Sequence, residues 1–180
     1  MDEYIRLAAK EISNRFKEHS IGFEFRDGKM IRIDSGFLHS EAVTPAISLL
    51  QEPHMAGPNQ EFMKAHEHFR HGRYGESINE CLKSFESTMK AICHKKRWAY
   101  NQNDTAKKLL NVCEQKGLFP TYMQSSLSGL RAVLETVPTF RNKLSGHGQG
   151  VQQVQISEPV AAFVLHSTAA NIVFLTSLAK

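Results

Sequence analysis

Arg141-Asn142-Lys143-Leu144-Ser145-Gly146-His147-Gly148-Gln149-Gly150 places an arginine, an amide and a histidine within one short segment that ends in glycines. Arginine offers a permanently charged, forked donor for phosphate oxygens, and histidine exchanges a proton near neutral pH. Residues of these two types can cleave a phosphodiester without a metal. His147, with an ordinary pKa of about 6.5, would take the proton from a ribose 2′-hydroxyl while Arg141 stabilises charge on the phosphorane. The products would be a 2′,3′-cyclic phosphate and a free 5′-hydroxyl, and DNA, lacking the nucleophile, would resist. Asn142 would orient a phosphate or the imidazole.

Spacing constrains how the pair can meet. Six residues along a straight α-helix turn the side-chain direction through about 600°, leaving Arg141 and His147 roughly 120° apart. The helix must therefore end or bend between them, for which Gly146 and Gly148 provide backbone freedom, or a second copy must complete the constellation. Pro138 suits the first turn of a helix bearing Arg141, and Gly146 suits its end.

The elements around this segment read as a mainly α protein. Ile5, Ala8, Ala9, Ile12 and Phe16 give Tyr4 to about Glu18 the spacing of an amphipathic helix. Ile21, Phe23 and Phe25 alternate with polar or small residues, Asp27-Gly28 supplies a tight turn, and Ile31 and Ile33 resume the alternation, which predicts a two-stranded hairpin. Such a hairpin is marginal alone and must lean on the helices or on a second chain. Ser40 is the expected cap of a short helix toward Leu50, and Pro53 to Pro58 reads as a loop. That loop divides residues 1–58, a linker or dimerisation appendage, from a helical bundle over 59–180.

Within the bundle, Phe62, Ala65 and Phe69 line a helix that Gly72 breaks. Ile78, Leu82, Phe85, Met89 and Ile92 line the next with alternating spacings of four and three. Further helices run from about Thr105 to Lys116, ending at Gly117, and from Tyr122 to about Glu135 with Leu127, Leu130, Val133 and Leu134 as the apolar set. Ser157 or Glu158 followed by Pro159 opens a nearly all-apolar last helix. His166, Asn171 and several hydroxyls interrupt its apolar run, so it reads as buried in protein, with no membrane role.

Composition excludes several classes. With 180 residues and 41% hydrophobic content the chain can bury a core. A formal charge of +4 permits a polyanionic partner but falls short of a nucleic-acid-coating protein. Cys81, Cys93 and Cys113 are odd in number and sit in apolar-periodic segments, as buried thiols of a reducing, cytoplasmic compartment do. The N-terminus carries Asp2, Glu3, Arg6, Lys10 and Glu11 and lacks a signal-peptide core. His66, His68 and His71 face different sides of a helix and read as solvated side chains, with no metal site. His94-Lys95-Lys96-Arg97 meets either RNA phosphates or the negative end of a helix dipole. No Gly-Lys-Ser/Thr follows Gly148-Gln149-Gly150, so a mononucleotide cradle is not expected, nor is any cofactor.

Arg141-Asn142-(four residues)-His147 resembles the arginine, polar residue, spacer and histidine signature of HEPN-domain proteins. The resemblance extends to Phe85-Glu86-Ser87-Thr88-Met89-Lys90-Ala91-Ile92 and to the alanine-rich last helix. Together these are similar to the C-terminal (Abi-C type) domain of bacterial abortive-infection proteins over about Asn59 to Lys180. It implies a HEPN-like helical bundle and, in active members, a metal-independent endoribonuclease of antiviral or toxin systems, usually a homodimer whose two motifs face one cleft. Arg141 and His147 are then catalytic, with Asn142 beside them. Glu86 and Lys90 match a glutamate and a lysine on an earlier helix. Glu86 would fix a histidine tautomer or pair with Arg141, or the two would form an ordinary i,i+4 ion pair. The partners implied are RNA, a second copy, and an antitoxin or an N-terminal regulatory domain, since the hairpin region looks like the linker of longer relatives. HEPN domains also serve as non-catalytic modules binding RNA, a nucleotide or a protein, and that reading stays open beside the enzymatic one.

Overall fold

Ile78, Phe85, Met89 and Ile92 are fully buried and Leu82 nearly so, which makes the helix that carries them the axis of the molecule. The computed structural model describes residues 3–18, 22–26, 28–32, 39–144 and 155–180. In chain order these form α1 (Glu3–Glu18), β1 (Phe23–Arg26), β2 (Lys29–Arg32), α2 (Thr44–Leu50), α3 (Ala56–Arg70), α4 (Tyr74–Lys95), α5 (Ala106–Gln115), α6 (Leu127–Leu134), α7 (Thr136–Leu144) and α8 (Glu158–Leu178). The protein is a mainly α bundle with one small antiparallel hairpin, as the periodicities predict.

The axial helix α4 packs against α3, α5, α7 and α8. Its contact with antiparallel α3 is close because small hydroxyl residues stand at the seam. Buried Ser77 and Ser84 donate to the carbonyls of Ala65 and Pro58, each at 2.9 Å, so neither hydroxyl is left unsatisfied. The opposite wall is α8, whose Ala161, Val164, Leu165, Ala169, Ile172 and Leu175 are buried. Length and apolarity would let α8 cross a membrane, yet half of its apolar window lies inside the bundle. Ser157 precedes its first turn and Pro159 falls within it, where a missing N–H costs nothing.

Three helix boundaries differ from the sequence reading. Pro53–Met55 is a 3₁₀ turn and α3 already begins at Ala56, so Pro58 lies in a first turn and not in a loop. Ser40 sits inside a wide π turn, His39–Val43, and α2 starts at Thr44 with Pro45 in its first turn and no side-chain cap. Residues 121–126 form a 3₁₀ segment before the shorter α6, and that change of phase leaves Val133 61% exposed while Leu134 is buried. His66 is a further correction: it is 2% exposed, edge-on to Phe62 at 4.8 Å, and not solvated. The predicted helix end at Gly117 holds, with the glycine in the left-handed region at φ +74°.

Phe23 pairs with Arg32 and Phe25 with Met30, and Gly28 takes φ +77° in the turn. Ile21, Asp27 and Ile33 lie outside the described residues. The hairpin is anchored from both sides. On one, Ser13 of α1 accepts from the Phe25 N–H at 3.1 Å and donates back to its carbonyl. On the other, Ile31 is fully buried against the bundle, Lys29 pairs with Glu67 of α3 at 2.7 Å, and Arg32 pairs with Glu158 at the start of α8. Tyr74 donates to the second Glu158 oxygen at 2.9 Å. Val43, Ala46, Ile47 and Leu50 belong to the same buried core as the helices after residue 59. All three cysteines are free and buried, and burial pushes the Cys81 thiol up to about 12.

Phe85→Ala should lower unfolding free energy by about 3–5 kcal/mol in urea titration, the usual cost of emptying a buried phenylalanine site. A second expectation concerns pH. The Tyr74 hydrogen bond, then Arg32, hold the Glu158 carboxyl below the usual carboxylate range. The stabilisation it contributes is therefore full above the ordinary carboxylate pKa and is lost as pH falls through the depressed one. Thermal unfolding followed from pH 7 to pH 3 should show Glu158→Gln losing less stability on acidification than the parent chain.

Candidate functional site

Asn79, Lys83, Glu86 and Lys90 repeat the four-three-four spacing of the core stripe, displaced by one residue and so about 100° round α4. The first three of them line an open groove. Opposite stands α7, one of whose residues, Val137, is fully buried, and Arg141 follows it one turn later on the same side. Pro138 is the third residue of α7, where the first-turn amide has no intrahelical acceptor.

The fold thus brings Arg141 to α4. Its Nε donates to Asn79 Oδ1 at 3.0 Å and its Nη1 donates to Asn142 Oδ1 at 3.1 Å. These two bonds aim the guanidinium into the space beside α4. Two adjoining grooves, of about 430 and 480 Å³, share Leu82, Glu86 and Arg141. The first also holds Asn79, Lys83 and His68, and the second Asn142, Thr105 and Lys107. Arg141, Asn142 and Glu86, three of the residues singled out in the sequence, therefore meet in one place. His147 lies outside the described residues, as do Gly146 and Gly148.

Glu86 and Lys90 do not form the i,i+4 ion pair: Glu86 reaches to the first amide of α5 and Lys90 to the backbone of the 96–105 connection. Glu86 Oε1 accepts from the Ala106 N–H at 2.8 Å, and Lys90 Nζ donates to the Gln102 carbonyl at 2.8 Å. Thr105, in the capping position of α5, makes no side-chain cap bond, so Glu86 supplies that cap from a neighbouring helix. Beside this face Glu61 of α3 has its carboxyl raised by burial, with a Ser87 hydrogen bond opposing the shift.

Asn79 is the site residue that motif reading missed. Its signal was present, as the first member of a polar stripe running parallel to the core stripe, but the partner 62 residues away was not. The basic stretch His94 to Arg97 is exposed at the C-terminal end of α4, where it meets the negative end of the dipole, and Arg97 takes φ +58° there. Among the described residues, no group of three or more His, Cys, Asp or Glu side chains is placed to hold a metal ion.

Among the described residues, a helical bundle presents an arginine from α7 into a groove on the axial helix α4. The chain belongs to the Abi_C family, a HEPN-like domain, whose profile matches residues 56–179. No curated protein and no solved structure matches it.

Glu86→Ala should remove the cap of α5 at a cost of about 1 kcal/mol, the usual worth of a helix cap. Hydrogen exchange should show the Ala106 amide exchanging faster in the variant than in the parent, with the amides of α3 unchanged.

Proposed function

We propose that this chain is a metal-independent endoribonuclease of a bacterial abortive-infection or toxin-type antiviral system, acting on RNA as a homodimer in the cytoplasm. The observation that carries this reading is Arg141, brought by the fold into an open groove and aimed there by the amide oxygens of Asn79 and Asn142. Membership of the HEPN-like family supports the same reading. In the reaction, His147 removes the proton from the 2′-hydroxyl, and that oxygen attacks the adjacent phosphorus. The P–O5′ bond breaks, leaving a 2′,3′-cyclic phosphate and a 5′-hydroxyl once the leaving oxygen has taken a proton. Arg141 stabilises the phosphorane charge as it develops. Asn142 and Asn79 orient the guanidinium. Glu86 and Lys90 shape the groove wall by fixing the start of α5 and the connection before it. A second copy completes the cleft, and an antitoxin or an additional regulatory domain restrains it.

Total bacterial RNA incubated in EDTA with the purified chain should be cut to products with cyclic phosphate ends. Arg141→Ala should slow cleavage by about 10²–10³-fold, the usual cost of losing one donor to a developing oxyanion. His147→Ala should slow it by about 10²–10⁴-fold, as loss of a general base does. Equal rates in parent and variants would overturn the assignment, and folded dimers that bind RNA without cutting it would favour a non-catalytic binding module instead.

A further inference from the structure

The arginines divide by the partner each has found. Arg15, Arg26, Arg32 and Arg131 each lie within 3.2 Å of a carboxylate, on Glu11, Glu24, Glu158, and both Glu114 and Glu135 respectively. Arg70 and Arg73 differ. Arg70 Nη2 donates to His71 Nε2 at 3.0 Å, and Arg73 Nε donates to His68 Nδ1 at 2.9 Å. Among the described residues neither has a carboxylate oxygen within 4 Å. An arginine has donors only, so the imidazole nitrogen facing it must be an unprotonated acceptor. Both guanidinium groups are therefore fixed in place with their charge intact, and His68 keeps Nε2–H as a further donor.

These four residues lie on one turn between α3 and α4, closed by Gly72 at φ +71° and by the Arg73 N–H bond to the His68 carbonyl at 2.9 Å. Arg73 occupies the capping position of α4, which has no side-chain cap bond. A cation there meets the positive end of the helix dipole, where Ser or Asp would be stabilising. Cationic cost is thus concentrated at a corner where Arg73 is exposed and Arg70 half-buried; of the nearby carboxylates, Glu67 pairs with Lys29 and also feels the Arg70 charge, and Glu76 stands in the groove. His68 makes the corner continuous with that groove, where Arg141 and Asn79 stand with Glu76, Glu86 and the Lys83–Glu80 ion pair. From Arg73 to Asn79 is about 9 Å along the helix axis, a span that a strand's phosphates cover within a few nucleotides.

We propose that the Arg70–Arg73 turn is a second phosphate-binding site, which grips the RNA strand beside the groove while Arg141 acts on the scissile phosphate. This rests on the ribonuclease reading and adds to it a set of residues outside the Arg141-His147 segment. The corner binds and orients; it takes no part in the chemistry, so its loss raises KM and leaves kcat in place.

The test uses a fluorescein-labelled single-stranded RNA oligonucleotide, with binding read by anisotropy from 50 to 300 mM KCl. His147→Ala serves as the parent, to prevent cutting. Adding Arg70→Gln and Arg73→Gln should weaken binding roughly tenfold at 150 mM and make the log–log salt slope shallower by about 1.4, two phosphates at about 0.7 each for a single strand. A charge-matched Lys116→Gln/Lys180→Gln control should change neither by more than about twofold. With His147 restored, the same double substitution should raise KM without lowering kcat. Binding and slope equal to those of the control, in a chain that still cleaves RNA through Arg141, would overturn this proposal alone. A parent that neither binds nor cleaves RNA would overturn the ribonuclease reading and this proposal with it. Circular dichroism melts of each variant check that these substitutions leave the bundle folded.

Discussion

Helix α4 must satisfy two faces at once. Its stripe at Ile78, Leu82, Phe85, Met89 and Ile92 is the core against which the other helices close, and the stripe displaced by one residue forms the groove wall. Because α3, α5, α7 and α8 all pack on this helix, the groove residues stand on a backbone that cannot shift without opening the core. A site carried on such a helix is held more firmly than one on a loop. Arg141 gains its position from that rigidity: α7 brings it within 3.0 Å of Asn79, and a neutral amide holds the guanidinium there.

Neutral partners recur where charge has a use. An arginine bound to glutamate stabilises the fold but offers little to an incoming phosphate, whereas one bound to an amide or a neutral imidazole is aimed and still charged. Arg32 and Arg131 are of the first kind, tying the hairpin to α8 and α6 to α5. Arg70 and Arg73 are of the second, and Arg141 hydrogen-bonds to two amides along the same groove. The proposed phosphate contacts all fall outside the first kind.

Much of the architecture was legible in the sequence because it is local. The four-three spacing on α4, the glycine after α5 and the Ser157-Glu158-Pro159 start of α8 each encode an element within a few residues, and each stands where expected. The Arg141-Asn142 segment stood out by residue type, and the fold carries it to a groove. What was not legible depends on distant partners. Glu86 read either as a site acid or as the partner of Lys90, and its role as the cap of α5, twenty residues on, was in neither reading. His66 gave no sign that Phe62 would cover it, and Val133 left the core when a 3₁₀ segment changed the phase of α6. Asn79 lay on a readable stripe, but its partner 62 residues away was not encoded in any local pattern.

The most direct measurement compares one RNA oligonucleotide with its 2′-O-methyl counterpart, in EDTA, with the parent chain and with Arg141→Lys. Attack by the 2′-hydroxyl through a forked arginine predicts that only the unmodified RNA is cut, and that lysine, which cannot reproduce the bidentate geometry, is slower by about 10². Cleavage of the 2′-O-methyl strand, or a lysine variant as fast as the parent, would contradict the account.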